Sequence, residues 1–167
     1  MKVLIVHTSY KYKGGEDIVV QEEAKLLTSY GCEVEVLLFS NEGNTLLKLL
    51  QLTFNISAYL KTIEKINLFK PDVVHIHNLH FAASPSVIYA VKKCRIPIVL
   101  TLHNFRLLCP SATLFFNGKL FTDSLRQSFP VNAIRKGVYR NAIITFWLSF
   151  SIKLHQWLGT SRMPSSA

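Results

Sequence analysis

Histidine and asparagine residues end two short apolar segments of the chain, with about twenty residues between them. The first segment runs into His75-Ile76-His77-Asn78, and the second, Ile98–Leu102, runs into His103-Asn104. An imidazole donates or accepts hydrogen bonds and exchanges a proton near neutral pH, and a carboxamide both donates and accepts. These residue types suit the binding of a polar ligand, although a single histidine at a strand end more often bonds only to a backbone carbonyl.

Two predicted parallel strands carry these histidines. Runs of β-branched residues bounded by Pro71-Asp72 and by Pro97 predict strands buried on both faces. Between them, Ser84-Pro85 is typical of a helix start and Lys92-Lys93 of a helix end, which predicts a βαβ unit. Ligands of open parallel sheets bind outside the carboxyl ends of the strands. The residues expected there are His75, His77, Asn78, His103 and Asn104.

A glycine pair, Gly14-Gly15, separates a predicted first strand, Lys2–His7, from a predicted helix that Gly31 ends. Glycines before a helix let a phosphate reach backbone N–H groups at the positive end of the helix dipole. The pair is a candidate phosphate site, and an ordinary tight turn explains it equally well. The helix is predicted to be apolar at Val19, Val20, Ala24, Leu27 and Tyr30, with Glu22, Glu23 and Lys25 on the other face.

The remaining elements complete a predicted α/β fold. Glu33–Phe39 alternates in polarity, which predicts a more exposed strand, and Thr45–Leu68 predicts helix, broken near Asn55. Phe105–Phe129 is predicted to be irregular. Val138–Leu158 predicts a long apolar helix that either packs on the domain or lies on a membrane surface. The order of elements predicts a Rossmann-like three-layer domain with a mostly parallel sheet of at least four strands.

Charge and composition limit the class of protein. The 167 residues, 49% hydrophobic and 17% charged, predict one globular domain. Residues 73–167 hold 11 Lys/Arg and one acid, whereas residues 1–72 hold 8 and 9, so the net charge of +9 is concentrated after residue 72. This asymmetry predicts an anionic partner, such as a phosphate or an acidic lipid surface, or a solvated basic face. Basic residues are not interleaved with aromatic ones on a predicted sheet face, so we expect no nucleic-acid partner.

The three cysteines, Cys32, Cys94 and Cys109, are widely spaced. They match neither a zinc motif nor a disulfide framework, so we expect no metal, no cofactor and a reducing compartment. The first residues lack the apolar region of a signal peptide. We therefore expect a cytoplasmic protein, with peripheral attachment at the inner face of the membrane as the extension that the last helix favours.

Four motifs, in this order, resemble the N-terminal domain of family 4 glycosyltransferases. They are Lys2–His7, Gly14-Gly15-Glu16, Pro71–Asn78 and Thr101–Pro110, and the resemblance covers residues 1–160. It implies one half of a GT-B fold, in which two Rossmann-like domains face each other across a cleft. It also implies a retaining mechanism.

The resemblance implies roles for individual residues. His103 matches a histidine that borders the reacting sugar, where it would bond the donor hexose or position the acceptor hydroxyl, and we take it as the catalytic candidate. Gly14 and Gly15 match the glycine loop that lies close to the donor diphosphate. The residues implied to bind acceptor or sugar are His77, Asn78, Asn104 and Arg106, the last through a phosphate.

The implied domain organisation is a Rossmann-like N-terminal domain over residues 1–160, a disordered tail over 161–167, and no C-terminal donor-binding domain. The expected function is the acceptor side of a retaining enzyme that moves a hexose from a nucleotide-sugar to a cell-surface glycan or lipid-linked acceptor. A fragment of this kind would be inactive alone. The alternatives are a non-catalytic binding or regulatory module, and one subunit of a split glycosyltransferase.

Overall fold

The chain divides into two compact units in a computed structural model that describes residues 1–9, 14–40, 51–126 and 128–160. The first unit holds the described residues up to His103, and the second begins at Asn104. The predicted tail, 161–167, and part of the predicted helix Thr45–Leu68 lie outside the described residues. The predicted extent of the domain, residues 1–160, stays a prediction.

A parallel four-stranded sheet forms the centre of the first unit. Its strands are β1 (Lys2–Ser9), β2 (Glu33–Ser40), β3 (Val73–Ile76) and β4 (Ile98–Leu100), in the order β2-β1-β3-β4 with every neighbouring pair parallel. The helices α1 (Gly15–Ser29), α2 (Ile56–Phe69) and α3 (Ser86–Lys93) alternate with these strands. The predicted α/β, Rossmann-like class is therefore confirmed.

Helices cover the sheet on both faces and make three layers. On one face, α2 and α3 bury a core that includes Leu4, Val6, Val74 and Ile76, all fully buried. On the other face, α1 packs Val20, Ala24 and Leu27 against Val3, Ile5 and Val73. Burial of each such aliphatic side chain contributes about 1.5–3 kcal/mol, so these alternating residues hold the sheet between its helices.

Helix ends follow the predicted signals closely. Gly31 adopts φ +80° just after α1, the left-handed conformation that glycine permits at a helix end. Asn55 caps α2, since its side chain accepts a hydrogen bond from the N–H of Ala58 at 3.2 Å. For α3 the predicted start, with Ser84 as the cap and Pro85 as the first residue, is wrong by one position: Pro85 is the N-cap and Ser86 the first residue, although Ser84 Oγ accepts from the N–H of Ser86. The break predicted near Asn55 is confirmed.

The prediction that β4 is buried on both faces is wrong. β4 ends at Leu100, not Leu102, and its Val99 side chain is 47% exposed. The cause is the position of β4 at the end of the strand order, whereas α1 packs on β1 and β2. Like β2, β4 occupies an edge of the sheet in the described chain.

The second unit is helical with one small hairpin. Its elements are β5 (Phe115–Phe116), β6 (Lys119–Leu120), α4 (Asp123–Arg126), α5 (Val131–Lys136) and α6 (Ala142–Trp157). β5 and β6 pair antiparallel, so the prediction of an irregular segment up to residue 129 is wrong in part. A small core here is built on Cys109, Phe121 and Ala133.

The last helix is shorter than predicted. It begins at Ala142 and not near Val138, because Gly137 and Arg140 both have positive φ and interrupt the helix before that point. Asn141 caps α6 by accepting a hydrogen bond from the N–H of Ile144 at 2.9 Å. Among the residues that the structure describes, no helix has both the length and the apolar character needed to cross a membrane.

Candidate functional site

Histidines from three strands of the first unit meet on the α1 side of the sheet. His75 and His77 are two residues apart on and just after β3, so both imidazoles point to the same face. His7 lies near the end of β1 on that face. Beyond β4, the N–H of Thr101 donates to the carbonyl of Ile76 at 2.9 Å, which keeps the segment leading to His103 beside β3.

The imidazoles are in direct contact at the carboxyl end of the sheet. His77 Nδ1 lies 3.0 Å from His103 Nε2, and the two rings are stacked with centroids 5.2 Å apart. The ring of His75 is 4.2 Å from that of His77, and the ring of His7 is 6.5 Å away at a near right angle. The structure thus brings together the predicted residues His77 and His103, and adds His7, which the sequence analysis did not single out.

Glu23 of α1 contacts two of these imidazoles, so the prediction that its side chain lies on the polar outer face is wrong. Its Oε1 is 2.5 Å from His75 Nδ1, and its Oε2 is 3.3 Å from His77 Nε2. The second distance allows an ion pair, but its geometry falls short of a hydrogen bond, and His77 Nε2 has no hydrogen-bond partner among the described residues.

The rotation of α1 about its axis explains this difference. The residues of α1 that face the sheet include Asp17 and Val20, and Val19 and Tyr30 of the predicted apolar face are exposed. On the face of the sheet toward α1, the side chains are imidazoles at the carboxyl end and aliphatic at the other end. Carboxylates on α1 therefore find partners under the helix, at Glu23 as at Asp17.

Asp17 links the glycine pair to the histidines. Its Oδ1 lies 3.1 Å from His7 Nε2, and its Oδ2 accepts a hydrogen bond from the N–H of Gly14 at 2.8 Å. Gly14 is the N-cap residue of α1 and Gly15 its first residue, as predicted. A Cβ placed on Gly15 would meet no atom within 4 Å, so the described surroundings leave space for a ligand there. Diphosphate binding by the pair stays a prediction.

The hydrogen-bond network assigns the protons of the cluster. An ionised Glu23 only accepts, so His75 donates from Nδ1 and its Nε2 accepts from the Thr101 hydroxyl at 2.8 Å. A lone pair on His77 Nε2 would repel Glu23 Oε2, so the proton of His77 is assigned to Nε2. His77 Nδ1 then accepts from His103 Nε2–H, which leaves the lone pair of His103 on Nδ1.

Burial keeps His77 neutral. Desolvation, together with the nearby His75, His103 and His7, lowers the pKa of His77 from its usual 6.5 to about 4, although the negative charge of Glu23 acts in the opposite direction. The imidazole is therefore uncharged at neutral pH, with one donor and one acceptor nitrogen. This state is the one that the proton assignment requires.

Asn78 is buried next to the cluster. Its side-chain N–H₂ donates to Glu16 Oε2 at 2.9 Å and to the carbonyl of Thr8 at 3.5 Å. Its Oδ1 accepts from the N–H of His80 at 3.0 Å. These bonds tie the end of β3 to the first turn of α1 and to the end of β1. The predicted role of Asn78 in acceptor binding stays a prediction.

Two further predicted site residues belong to the second unit. Asn104 Oδ1 accepts a hydrogen bond from the N–H of Arg106 at 3.0 Å. The Arg106 side chain is 5% exposed, donates to the carbonyl of Pro110 at 3.2 Å and lies 4.8 Å from the ring centre of Tyr139. In this conformation the guanidinium packs inside its own unit. Phosphate binding by Arg106 stays a prediction, and it requires this side chain to leave those contacts.

The fold and the polar cluster define a Rossmann-like domain of the kind that binds a ligand at the carboxyl ends of its strands. The sequence profile described as Glycosyltransferase Family 4 matches residues 13–143, more than three quarters of the chain. The chain therefore belongs to glycosyltransferase family 4, and the predicted resemblance is confirmed. Membership of the family supports a glycosyltransferase-like role, with a sugar donor and an acceptor as the general substrates. No curated protein and no solved structure matches the chain.

Proposed function

We propose that this chain supplies the acceptor side of a retaining glycosyltransferase, which moves a hexose from a nucleotide-sugar to a cell-surface glycan or lipid-linked acceptor. The observation that carries the proposal is the series of contacts from Glu23 through His77 to His103. It leaves one lone pair, on His103 Nδ1, outside the hydrogen bonds of the cluster. This nitrogen belongs to the carboxyl end of a parallel sheet, where ligands of such folds bind.

The proposed role of His103 is to accept a hydrogen bond from a sugar hydroxyl next to the reacting carbon. A hydroxyl held in one orientation reacts faster than one that rotates freely, because the cost of alignment is met on binding. His77 and Glu23 fix the tautomer and the ring of His103, so the acceptor atom is in place before the sugar arrives. His77 and Asn78 complete the acceptor side, with Asn104 and Arg106 as further contacts.

For the donor, we propose that the diphosphate approaches the start of α1. Gly15 is the better placed of the two glycines, because Asp17 already accepts the N–H of Gly14. Glu16 and Asp17 carry negative charge in the same turn, which weakens attraction of an anion there. The donor is therefore proposed to gain most of its binding energy from a separate donor-binding domain, and the chain alone is expected to be inactive.

A transfer assay tests the proposal. Residues 1–167 are mixed with the donor-binding domain of a family 4 enzyme, membrane extract as acceptor and a panel of labelled nucleoside diphosphate hexoses. Transfer is expected for at least one donor, and His103→Ala should lower its rate by about 100-fold or more. His155→Ala is the matched control, because His155 bonds to Thr160 in the second unit and should leave the rate unchanged.

The outcomes separate the alternatives. Transfer that survives His103→Ala would show that His103 has another role. Transfer supported only by a separately encoded donor domain favours one subunit of a split enzyme. Absence of transfer with every donor, together with retained binding of a glycan to the chain, would favour a non-catalytic binding or regulatory module.

We also propose that the protein attaches peripherally to an anionic membrane on its cytoplasmic side, through α6. The polar residues Thr145 and Ser149 of this helix are fully buried, whereas Ile143 is 69% exposed. Aromatic side chains share that outward position, and three basic residues precede the helix. These residues are Phe146, Trp147, Phe150 and Trp157, preceded by Arg135, Lys136 and Arg140. Apolar side chains beside cations are typical of helices at a membrane surface.

Vesicle binding tests the attachment directly, because both tryptophans of the chain lie in α6. Tryptophan emission should shift to shorter wavelength with vesicles that contain anionic lipid, and less with zwitterionic ones. Ile143→Asp should reduce the shift, whereas Ile18→Asp on α1 should not. An equal response to both lipids, or no response, would contradict the proposal.

A further inference from the structure

We propose that Glu23, His75 and His77 form a binding site for a single divalent transition-metal ion of the zinc class. Each residue offers one ligand atom, a carboxylate oxygen of Glu23 and one ring nitrogen of each histidine. The ring nitrogens that face Glu23 are His75 Nδ1 and His77 Nε2. These atoms all lie within 4.8 Å of one another. The residues come from α1 and from β3 with the position just beyond it, elements that the packing of the first unit holds together.

The ligand set matches the chemistry of zinc. Two imidazoles and one carboxylate bind Zn²⁺ in sites that keep a fourth position open for water or another ligand. Bonds of about 2.0–2.1 Å in a tetrahedral site separate the ligand atoms by roughly 3.3 Å. The contact between Glu23 Oε2 and His77 Nε2, 3.3 Å, has this spacing, whereas Glu23 Oε1 and His75 Nδ1, 2.5 Å apart, must separate to admit the ion. Small rotations of the Glu23 side chain, which is 25% exposed, can complete it.

The two histidines are also oriented as metal ligands are. A ligating imidazole usually has its other ring nitrogen held by a hydrogen bond, which fixes the ring and its tautomer. His75 Nε2 lies 2.8 Å from the Thr101 hydroxyl, and His77 Nδ1 lies 3.0 Å from His103 Nε2. Both partners can accept a hydrogen bond, so each ring nitrogen opposite the ion can carry its proton.

His77 Nε2 supplies an independent reason to expect a ligand. The His77 side chain is fully buried, and this nitrogen has no hydrogen-bond partner in the described chain. A buried polar atom without a partner destabilises the folded chain, because it has lost its hydrogen bonds to water. A proton shared by Glu23 and His75 accounts for their short contact but leaves His77 Nε2 unsatisfied. A cation between the three residues satisfies all of them.

The site goes against the expectation of no metal that the cysteine spacing supports. Its ligands come from segments about fifty residues apart, so no local motif marks them. The ion would also change the cluster. With His77 Nε2 bound to metal, its proton moves to Nδ1 and is donated to His103 Nε2, which reverses the direction of that hydrogen bond. His103 then carries its own proton on Nδ1, so the acceptor role proposed for that nitrogen belongs to the metal-free chain. Metal binding itself does not depend on the proposed sugar transfer.

Metal titration of the purified chain tests the site. Residues 1–167 are freed of metal with a chelator and titrated with ZnCl₂ by calorimetry. One ion per chain is expected, and Glu23→Gln and His75→Asn should each weaken binding by about tenfold or more. His155→Asn, which changes a histidine outside the cluster, should leave binding unchanged. No binding, or binding that the cluster variants do not weaken, would overturn the proposal.

A second measurement needs no variant, so misfolding of a variant cannot obscure the answer. The wild-type chain is loaded with Co²⁺ in place of Zn²⁺ and observed by proton NMR. Two strongly shifted ring N–H signals are expected, from His75 Nε2–H and His77 Nδ1–H, and both should vanish in D₂O. A Co²⁺ spectrum without shifted, exchangeable N–H signals would show that the ion binds elsewhere and would overturn the proposal.

Discussion

The two faces of the central sheet are built from alternate residues of the same strands, yet they differ in chemistry. The face toward α2 and α3 has an aliphatic core, with Leu4, Val6, Val74 and Ile76 fully buried. The face toward α1 starts apolar, with Val3, Ile5 and Val73, and becomes polar near the carboxyl ends of the strands. The residues at that end are His7, His75 and His77.

This difference shows that stability and chemistry are placed on opposite faces of one sheet. Aliphatic side chains gain free energy from burial alone, so their face needs no specific partner. Buried imidazoles require hydrogen bonds, and each one on the other face contacts a carboxylate or another imidazole. Substitutions on the two faces should therefore have different consequences.

The largest effect on stability is expected from Ile76→Ala, on the apolar face. Ile76 is fully buried in the core that α2 and α3 cover, so its truncation should lower the free energy of unfolding by about 2–5 kcal/mol. Urea denaturation measures this. Ile18→Ala, at a site 61% exposed on α1, is the control and should cost less than about 0.5 kcal/mol. Equal costs at the two sites would show that burial of Ile76 under α2 and α3 does not stabilise the sheet.

A smaller effect is expected from acid on the polar face. The pKa of His77 is lowered to about 4 in the folded chain, against 6.5 in the unfolded chain, so below pH 6.5 the unfolded state binds the extra proton. The stability that the neutral His77 gives the folded chain is therefore fully present above pH 6.5, and it is lost as the pH falls from 6.5 toward 4. Between about pH 7.5 and pH 5 it should amount to about 2 kcal/mol.

The measurement compares urea denaturation at the two pH values for wild type and His77→Asn. Asparagine does not titrate, so the variant should lose about 2 kcal/mol less than wild type over this range. The comparison cancels the titration of carboxylates and of the other histidines, except for groups coupled to His77, namely His75, Glu23, His103 and His7. Equal losses in both proteins would mean that His77 titrates normally.

The smallest effect is expected from Val99→Lys on β4. Val99 pairs in register with His75, but its side chain is 47% exposed. A lysine there should change the free energy of unfolding by no more than about 0.5 kcal/mol. A cost above about 1.5 kcal/mol in urea denaturation would contradict this prediction. It would show that another part of the protein covers Val99 and this edge of the sheet.

Regular elements were predictable because their signals are local. The glycine that ends α1, the cap of α2 and the apolar strands each depend on neighbouring residues, and the structure confirms them. The strand-end rule also predicts from the sequence that His77 and His103 lie at one edge of the sheet. It needed only the parallel pairing of β3 and β4.

The environments of two side chains are not predictable from local sequence, because their surroundings come from distant segments. Glu23 reads as a solvent-facing acid next to Glu22, and only the histidines under α1 give it partners. Glu23 follows Val20 by three positions, as Val20 follows Asp17, and this helical spacing is the feature of the sequence that could have placed Glu23 near the buried side of α1. Arg106 reads as a free cation, but Pro110 and Tyr139 surround its guanidinium.

The sequence by itself determined the alternation of strands and helices, the ends of the helices and the family, because periodicity, capping residues and motifs are properties of short segments. Tertiary structure alone decided which groups share a proton and which side chains lose their water. Those properties depend on distances between α1, β1, β3 and the segment after β4, and chain order does not specify such distances. Packing therefore turned four separate histidines and two acids into one cluster.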